Sequence, residues 1–167
     1  NVDSNTISMI YKRENGINIL GSDFVKNNKE KCKLIIKGKE MKYTPDCIQK
    51  LRPDEIFVFG SNLNGFHGGG AARSAMEEFG AVWGQGVGLQ GQSYAIPTMQ
   101  GGVETIKPYV DDFIAFAKQH PELKFLVTRI GCGIAGFSDE EIAPLFAEAI
   151  KRINEEKPLG DLFEYDK

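Results

Sequence analysis

Phe57–Gly80 reads FVFGSNLNGFHGGGAARSAMEEFG. The stretch opens on an apolar run without polar alternation, the pattern of a strand buried on both faces. It closes on Ala72, Ala75, Met76 and Phe79 at helical spacing, with Gly80 placed to stop that helix. Between strand and helix stand Gly68, Gly69 and Gly70. Glycine here either permits a tight turn or lets backbone N–H groups approach a ligand, and a helix N-terminus favours anions.

Outward from this stretch the same alternation repeats. SYAIPT, 93–98, is a second short strand. Residues 105–119 form a helix with Tyr109, Phe113 and Phe116 on one face, ended by Pro121. LKFLVTRI, 123–130, is a further strand, apolar along most of its length. Residues 139–153 give a helix with Ile142, Leu145, Phe146, Ala149, Ile150 and Ile153 on one stripe. Ser138 and Glu141 make a capping box at its start. Strands alternating with helices predict an α/β domain with a mostly parallel central sheet. DLFEY, 161–165, reads as a last edge strand.

Residues 1–53 have another character. Two short apolar runs flank Asn15-Gly16, a hairpin signal. KLIIKGKEMKY reads as a second hairpin pivoting at Gly38, so this segment is a small β-rich unit of about four strands. A connector with a short helix at 45–51 follows. The domain division is therefore an N-terminal extension, 1–53, and a ligand-binding domain, 54–167.

Composition narrows the function. The chain has 167 residues, 41% of them hydrophobic, enough for a core without staples. No stretch resembles a secretory leader or a spanning run of about 20 apolar residues, so a cytoplasmic protein without a membrane partner is expected. The chain opens on Asn1 instead of Met, as expected of a sequence whose natural start is missing or engineered. Three irregularly spaced cysteines, Cys32, Cys47 and Cys132, do not form a disulfide framework. With two histidines, neither near Cys32 or Cys47, the four ligands of structural zinc are not assembled, and no metal or cofactor is expected. Residues 1–53 carry 11 Lys/Arg against 6 Asp/Glu, and residues 54–167 carry 9 against 17. The basic extension is read first as a solvated lysine-rich surface, with a protein partner as the other option. Without an arginine cluster or aromatic platform beside the lysines, nucleic acid is not the expected partner.

Twelve of the 19 glycines lie in 60–102, and three more in GCGIAG, Gly131 to Gly136. Both clusters follow a buried strand and precede a helix, and ligands of α/β sheets bind beyond the carboxyl ends of strands. Two such loops side by side suit a diphosphate. Neither is a P-loop, and no dinucleotide fingerprint follows FVFG. WGQGVGLQGQSYAIPT is read as an ordered loop over the ligand mouth, with Trp83 or Tyr94 available to stack on a base, or else as an ordinary connection with a packed Trp.

IFVFGSN, GGGAARSAMEEFG and RIGCGIAGFSDEEIAPLF together resemble a macro domain, over roughly residues 54–155. The glycine runs look most like the branch that removes ADP-ribose from protein carboxylates or DNA bases, and like small bacterial and phage macro-like proteins. The resemblance implies a three-layer α/β/α domain that binds ADP-ribose or a related NAD-derived nucleotide. It implies that Gly60, Ser61 and Asn62 end the strand, with Asn62 on the distal ribose. Gly68, Gly69, Gly70 and Ala71 then meet that ribose and the diphosphate. Gly131, Cys132, Gly133, Ile134 and Ala135 form the second loop, closed by Gly136 and Phe137. Met76 aligns with a reactive lysine of that branch, Ala135 with its aspartate, and Ala72 with the acid of another branch. The family's chemistry is therefore missing while its binding frame is present.

A reaction needs a titratable group within reach. Asn62, His67, Cys132 and Asp139 are the candidates, and none is assigned a step. His67 is read as an exposed ligand contact ahead of a catalytic base. Cys132 is read as a small buried thiol ahead of a nucleophile. Asp139 belongs to the first turn of its helix, where acids are favoured. Arg129, within the apolar strand, either pairs with a carboxylate or reaches a phosphate. Three readings follow: a nucleotide binder, an ADP-ribosyl glycohydrolase with non-standard residues, and a protein-interaction module whose glycine loops are turns.

Overall fold

Strand β3, Glu55–Ser61, is the axis of the domain, and its residues 56–59 are all buried. In the computed structural model, residues 48–154 are described, together with two short strands, β1 (Arg13–Glu14) and β2 (Ile17–Asn18). β1 and β2 pair antiparallel, Arg13 opposite Asn18 and Glu14 opposite Ile17, as a hairpin around Asn15-Gly16 requires. The second hairpin at Gly38 and the closing strand at 161–165 lie outside the described residues. Of the short helix expected at 45–51, residues 48–51 are described and carry no helix, so that expectation is corrected there.

The remaining elements are α1 (Gly70–Glu78), β4 (Gly88–Gln90), β5 (Ser93–Pro97), α2 (Lys107–Gln119), β6 (Lys124–Val127) and α3 (Asp139–Asn154). The larger sheet has the order β4-β5-β3-β6. β3 runs parallel to β5 and to β6, and β4 is an antiparallel edge on β5. This is a mixed α/β fold with a mostly parallel four-stranded sheet among the described residues.

The apolar run of β3 lacks alternation because helices cover both of its faces. Ile56 and Val58 pack in one cluster with Val110, Phe113 and Ile114 of α2 and Phe146 and Ile150 of α3. Fully buried Phe113 sits at its centre, its ring against Tyr94, Phe125 and Phe146. Phe57 and Phe59 point the other way, into a second cluster with Ala72 and Ala75 of α1 and Phe79 just after it. Small Ala72 and Ala75 let α1 approach the two phenylalanines. Gly80, at φ +79, turns the chain back so that the Ala81 amide donates to the Ala75 carbonyl at 3.0 Å.

Two expectations are corrected. The strand read over 123–130 ends at Val127, so Arg129 lies past it, in the turn that follows. Part of the glutamine-rich loop is a strand, β4, held by Gln90. The Gln90 side chain accepts from the Val82 amide at 2.7 Å and donates to the Gln85 carbonyl at 3.0 Å.

Candidate ligand-binding cleft

Because β3, β5 and β6 run parallel, their carboxyl ends lie on one edge of the sheet, and the segments that leave them surround a cleft of about 270 Å³. Gly60, Ser61, Asn62 and Phe66 come from the end of β3, and Gly69 to Ala72 from the start of α1. Thr98 and Met99 follow β5. Thr128 to Gly131 and Gly133 to Ala135 follow β6. The cleft lies where α/β sheets bind ligands.

Most of the sequence-derived site meets here: Gly60, Ser61, Asn62, Gly69, Gly70, Ala71, Arg129, Gly131, Gly133, Ile134 and Ala135 all line the cleft. His67, Gly68, Cys132, Gly136, Phe137 and Asp139 do not. Sequence reasoning missed Phe66, Thr98, Met99, Thr128 and Ile130. The rule that ligands sit beyond strand ends points to those after β5 and β6; no local pattern marks Phe66.

Asn62 organises its own loop. Its Oδ1 accepts from the Phe66 amide at 3.0 Å, its Nδ2 donates to the Phe66 carbonyl at 2.9 Å, and its carbonyl accepts from the Gly65 amide at 2.9 Å. The other N–H of Nδ2 makes no hydrogen bond among the described residues. His67 is not an exposed contact: it is fully buried, with its ring edge-on to Phe59. Its Nε2 lies 3.0 Å from the Gln85 carbonyl, which can only accept, so Nε2 carries the proton. Nδ1 has no hydrogen-bond partner among the described residues. His67 thus fastens the glycine loop to the 84–86 segment and does not face the cleft.

The glycines divide into two kinds. A Cβ on Gly65 would lie 2.3 Å from the Gln85 amide nitrogen, and one on Gly86 would lie 2.1 Å from the Asn62 carbonyl oxygen. Those glycines let two backbones touch. A Cβ on Gly69 would meet nothing nearer than Ile134 Cδ1 at 3.9 Å, and one on Gly133 nothing within 4 Å. Neither has a positive φ. No contact among the described residues requires glycine at Gly69 or Gly133, and both line the cleft.

The walls also hold unused donors. The N-terminus of α1 has no side-chain cap and no acid in its first turn. Arg73 is the first residue of that helix whose amide bonds a carbonyl, to Gly69 at 3.2 Å, leaving the amides of Gly70, Ala71 and Ala72 unpaired among the described residues. In the second loop, Gly136 donates to the Gly133 carbonyl at 3.0 Å and Phe137 to the Gly131 carbonyl at 2.9 Å. The amides of Gly133, Ile134 and Ala135 make no hydrogen bond among the described residues.

Ionisable groups are sparse. Arg129 is the one ionisable side chain among the described residues lining the cleft. It forms a bidentate pair with Asp139, Nε to Oδ1 at 3.1 Å and Nη2 to Oδ2 at 2.8 Å. Cys132 is half-buried, with Sγ 3.4 Å from Asp139 Oδ1. Burial, and then the Asp139 charge, push its thiol up to about 12, so it is protonated at neutral pH and poorly suited to nucleophilic attack. Met76 packs on the α1 side of the sheet and does not line the cleft.

Of the two rings considered for base stacking, Tyr94 is excluded: it is buried among Phe113 and Phe116. Trp83 is 57% exposed and stacks on Phe66. No helix among the described residues is long and apolar enough to cross a membrane. Comparison with protein-family models, with curated proteins and with solved structures found no match.

Proposed function

We propose that this chain binds ADP-ribose or a related NAD-derived nucleotide, in a macro-like three-layer α/β/α domain whose two glycine loops take the diphosphate between them. One observation carries the reading: Gly69 and Gly133 line one cleft where no contact among the described residues requires glycine, beside unpaired amides in both loops. An uncapped helix N-terminus without acids favours an anion. The donors are backbone groups, fixed in place before the ligand arrives. Asn62 holds the first loop in shape and offers its remaining N–H to a ribose hydroxyl.

The reading is binding without turnover. The positions that would carry a lysine or an acid hold Met76, Ala72 and Ala135, and the lining offers no general acid or base apart from paired Arg129.

Thermal unfolding with increasing ADP-ribose tests this. A ligand bound only by the native state adds about 2.7 kcal/mol at a hundredfold excess over Kd, a rise of several degrees in Tm for a chain of this size. An unchanged Tm at millimolar ADP-ribose would overturn it. Incubation with an ADP-ribosylated protein is expected to release no ADP-ribose; release would restore the glycohydrolase reading.

A further inference from the structure

Eight large apolar side chains are exposed among the described residues. Two of them, Met99 and Ile134, line the cleft. The other six, Leu63, Phe66, Val82, Trp83, Val87 and Leu89, are each 38–57% exposed and come from two stretches in direct contact. The Gly84 amide donates to the Gly65 carbonyl at 3.0 Å, and a Cβ on Gly86 would lie 2.8 Å from the Leu63 carbonyl oxygen. The Phe66 and Trp83 rings stack at 5.3 Å between centroids. Gln90, whose side chain holds the Val82 amide, directly follows Leu89. Apolar side chains scattered over a surface are ordinary, but a contiguous group marks a contact surface.

The chemistry of this surface selects its partner. From Ile56 to Ala72 and from Phe79 to Val103 the chain has no Asp, Glu, Lys or Arg, although these make up 26% of the whole. A basic segment such as 1–53 finds no acid to pair with here. An extended peptide is poorly served too. β4 is an edge of the sheet, where a further strand would add, but Gln85 Nε2 donates to the Leu89 carbonyl at 3.1 Å and to that of Val87 at 3.4 Å. Those acceptors are taken, so side chains and not backbone meet the partner. A docking helix needs a groove, and of the six side chains only Phe66 lines the cleft. What fits is a second uncharged apolar surface. A two-fold axis sets such a surface against itself with no need of matching charges. Elsewhere two copies repel, because residues 54–167 carry 17 acidic against 9 basic side chains. Six side chains of this size supply the apolar centre of the roughly 800 Å² that a stable interface buries on each partner.

We infer that this uncharged surface, built from 63–66 and 82–89, is the two-fold interface of a homodimer. The inference is independent of the nucleotide reading. The close approaches at Gly65 and Gly86 lock the two stretches together, so the surface is set before the copies meet and little order is lost on association. Trp83 is the largest of the six side chains and is expected to lose the most surface.

Trp83 is also the chain's one tryptophan, so its fluorescence reports the interface directly. Sedimentation equilibrium of the full chain over about 1–100 μM is expected to show monomer and dimer in exchange, with Trp83 emission moving to shorter wavelength as the dimer forms. Leu89→Lys and, separately, Val82→Lys place a charge at exposed positions outside the cleft. Each should weaken the dimer at least tenfold while the dilute monomer keeps the parent's Tm. A dimer that both variants form as tightly as the parent, or that leaves Trp83 emission constant, is made elsewhere and overturns the inference. A parent that stays monomeric throughout overturns it as well, the outcome expected if another protein or another segment of this chain covers the surface.

Discussion

Helices α1 and α3 both begin just after a glycine-rich loop, yet their first turns are finished in opposite ways. At α3 the protein supplies its own partners. The Ser138 amide donates to Glu141 Oε2 at 2.8 Å and the Glu141 amide to Ser138 Oγ at 3.3 Å, a closed capping box. Asp139, Glu140 and Glu141 answer the positive helix end, and Asp139 also holds Arg129. At α1 the cap is Gly69, no side chain among the described residues bonds the free amides, and no acid stands in the first turn. One helix end is complete in itself. The other leaves the amides of Gly70, Ala71 and Ala72 without a partner among the described residues, and it opens on the cleft.

The most severe way to break this contrast is to give α1 an end like that of α3. Gly69 has φ −155, extended backbone that any residue adopts, and its Cβ position makes only ordinary contact. Gly69→Asp should therefore fold, with stability unchanged or raised by a few tenths of a kcal/mol from the new cap. Calorimetric titration should show ADP-ribose affinity reduced at least a hundredfold, because a carboxylate now occupies the anion's place. Unaltered affinity would show that the α1 end is not the ligand's seat.

Gly86→Ala probes the other kind of glycine. Its Cβ would lie 2.1 Å from the Asn62 carbonyl oxygen and 2.8 Å from that of Leu63. Urea unfolding should show a loss of about 1–3 kcal/mol, the usual cost of overpacking. A neutral result would mean that the 62–66 and 84–86 loops are not locked together.

Ser138→Ala removes the cap that α3 makes for itself. It should cost about 1 kcal/mol in the same measurement while ADP-ribose affinity stays within twofold. A large loss of affinity would mean that the two helix ends are not independent.

The mildest effect appears only in alkali. Cys132, beside Asp139 at the α3 end, is pushed up to about 12 from an ordinary 9.0, chiefly by burial. Buried Tyr94 is raised likewise, from 10.0 to about 12. A folded-state pKa above the unfolded one stabilises fully below the unfolded value and is lost as pH rises through the folded one. Tm should hold to about pH 9 and fall from there toward pH 12, less steeply in Cys132→Ser. Equal slopes for the two proteins would remove Cys132 as a cause.

Where local pattern and tertiary structure agree, the sequence was enough. The unalternating run Ile56–Phe59 announced a strand covered on both faces, and the stripe from Ile142 to Ile150 announced α3 with its Ser138–Glu141 cap. The two glycine clusters marked the loops that meet at the cleft, because chain order alone places them after parallel strands. What escaped depends on contacts distant in sequence. A histidine beside three glycines reads as exposed, but His67 is covered by a segment 18 residues on. Tyr94 offers no sign of which face it takes in an apolar strand, and α2 decides it. For Arg129 the sequence left a carboxylate pair and a phosphate contact both open, and Asp139, ten residues later, makes the pair. β4 is three residues long and starts on glycine, too little for a strand signal. Phe66 gains its place at the cleft from the Asn62 bonds and the Gly65 contact, neither of which has a motif.

The most direct test follows individual backbone amides by nitrogen–proton correlation spectra as ADP-ribose is added. The account predicts that the amides of Gly70, Ala71, Gly133, Ile134 and Ala135 shift with a common saturation curve, while those of Ser138 to Glu141 stay in place. Saturation without change at the first set, or with the larger changes at the capped α3 end, would contradict it.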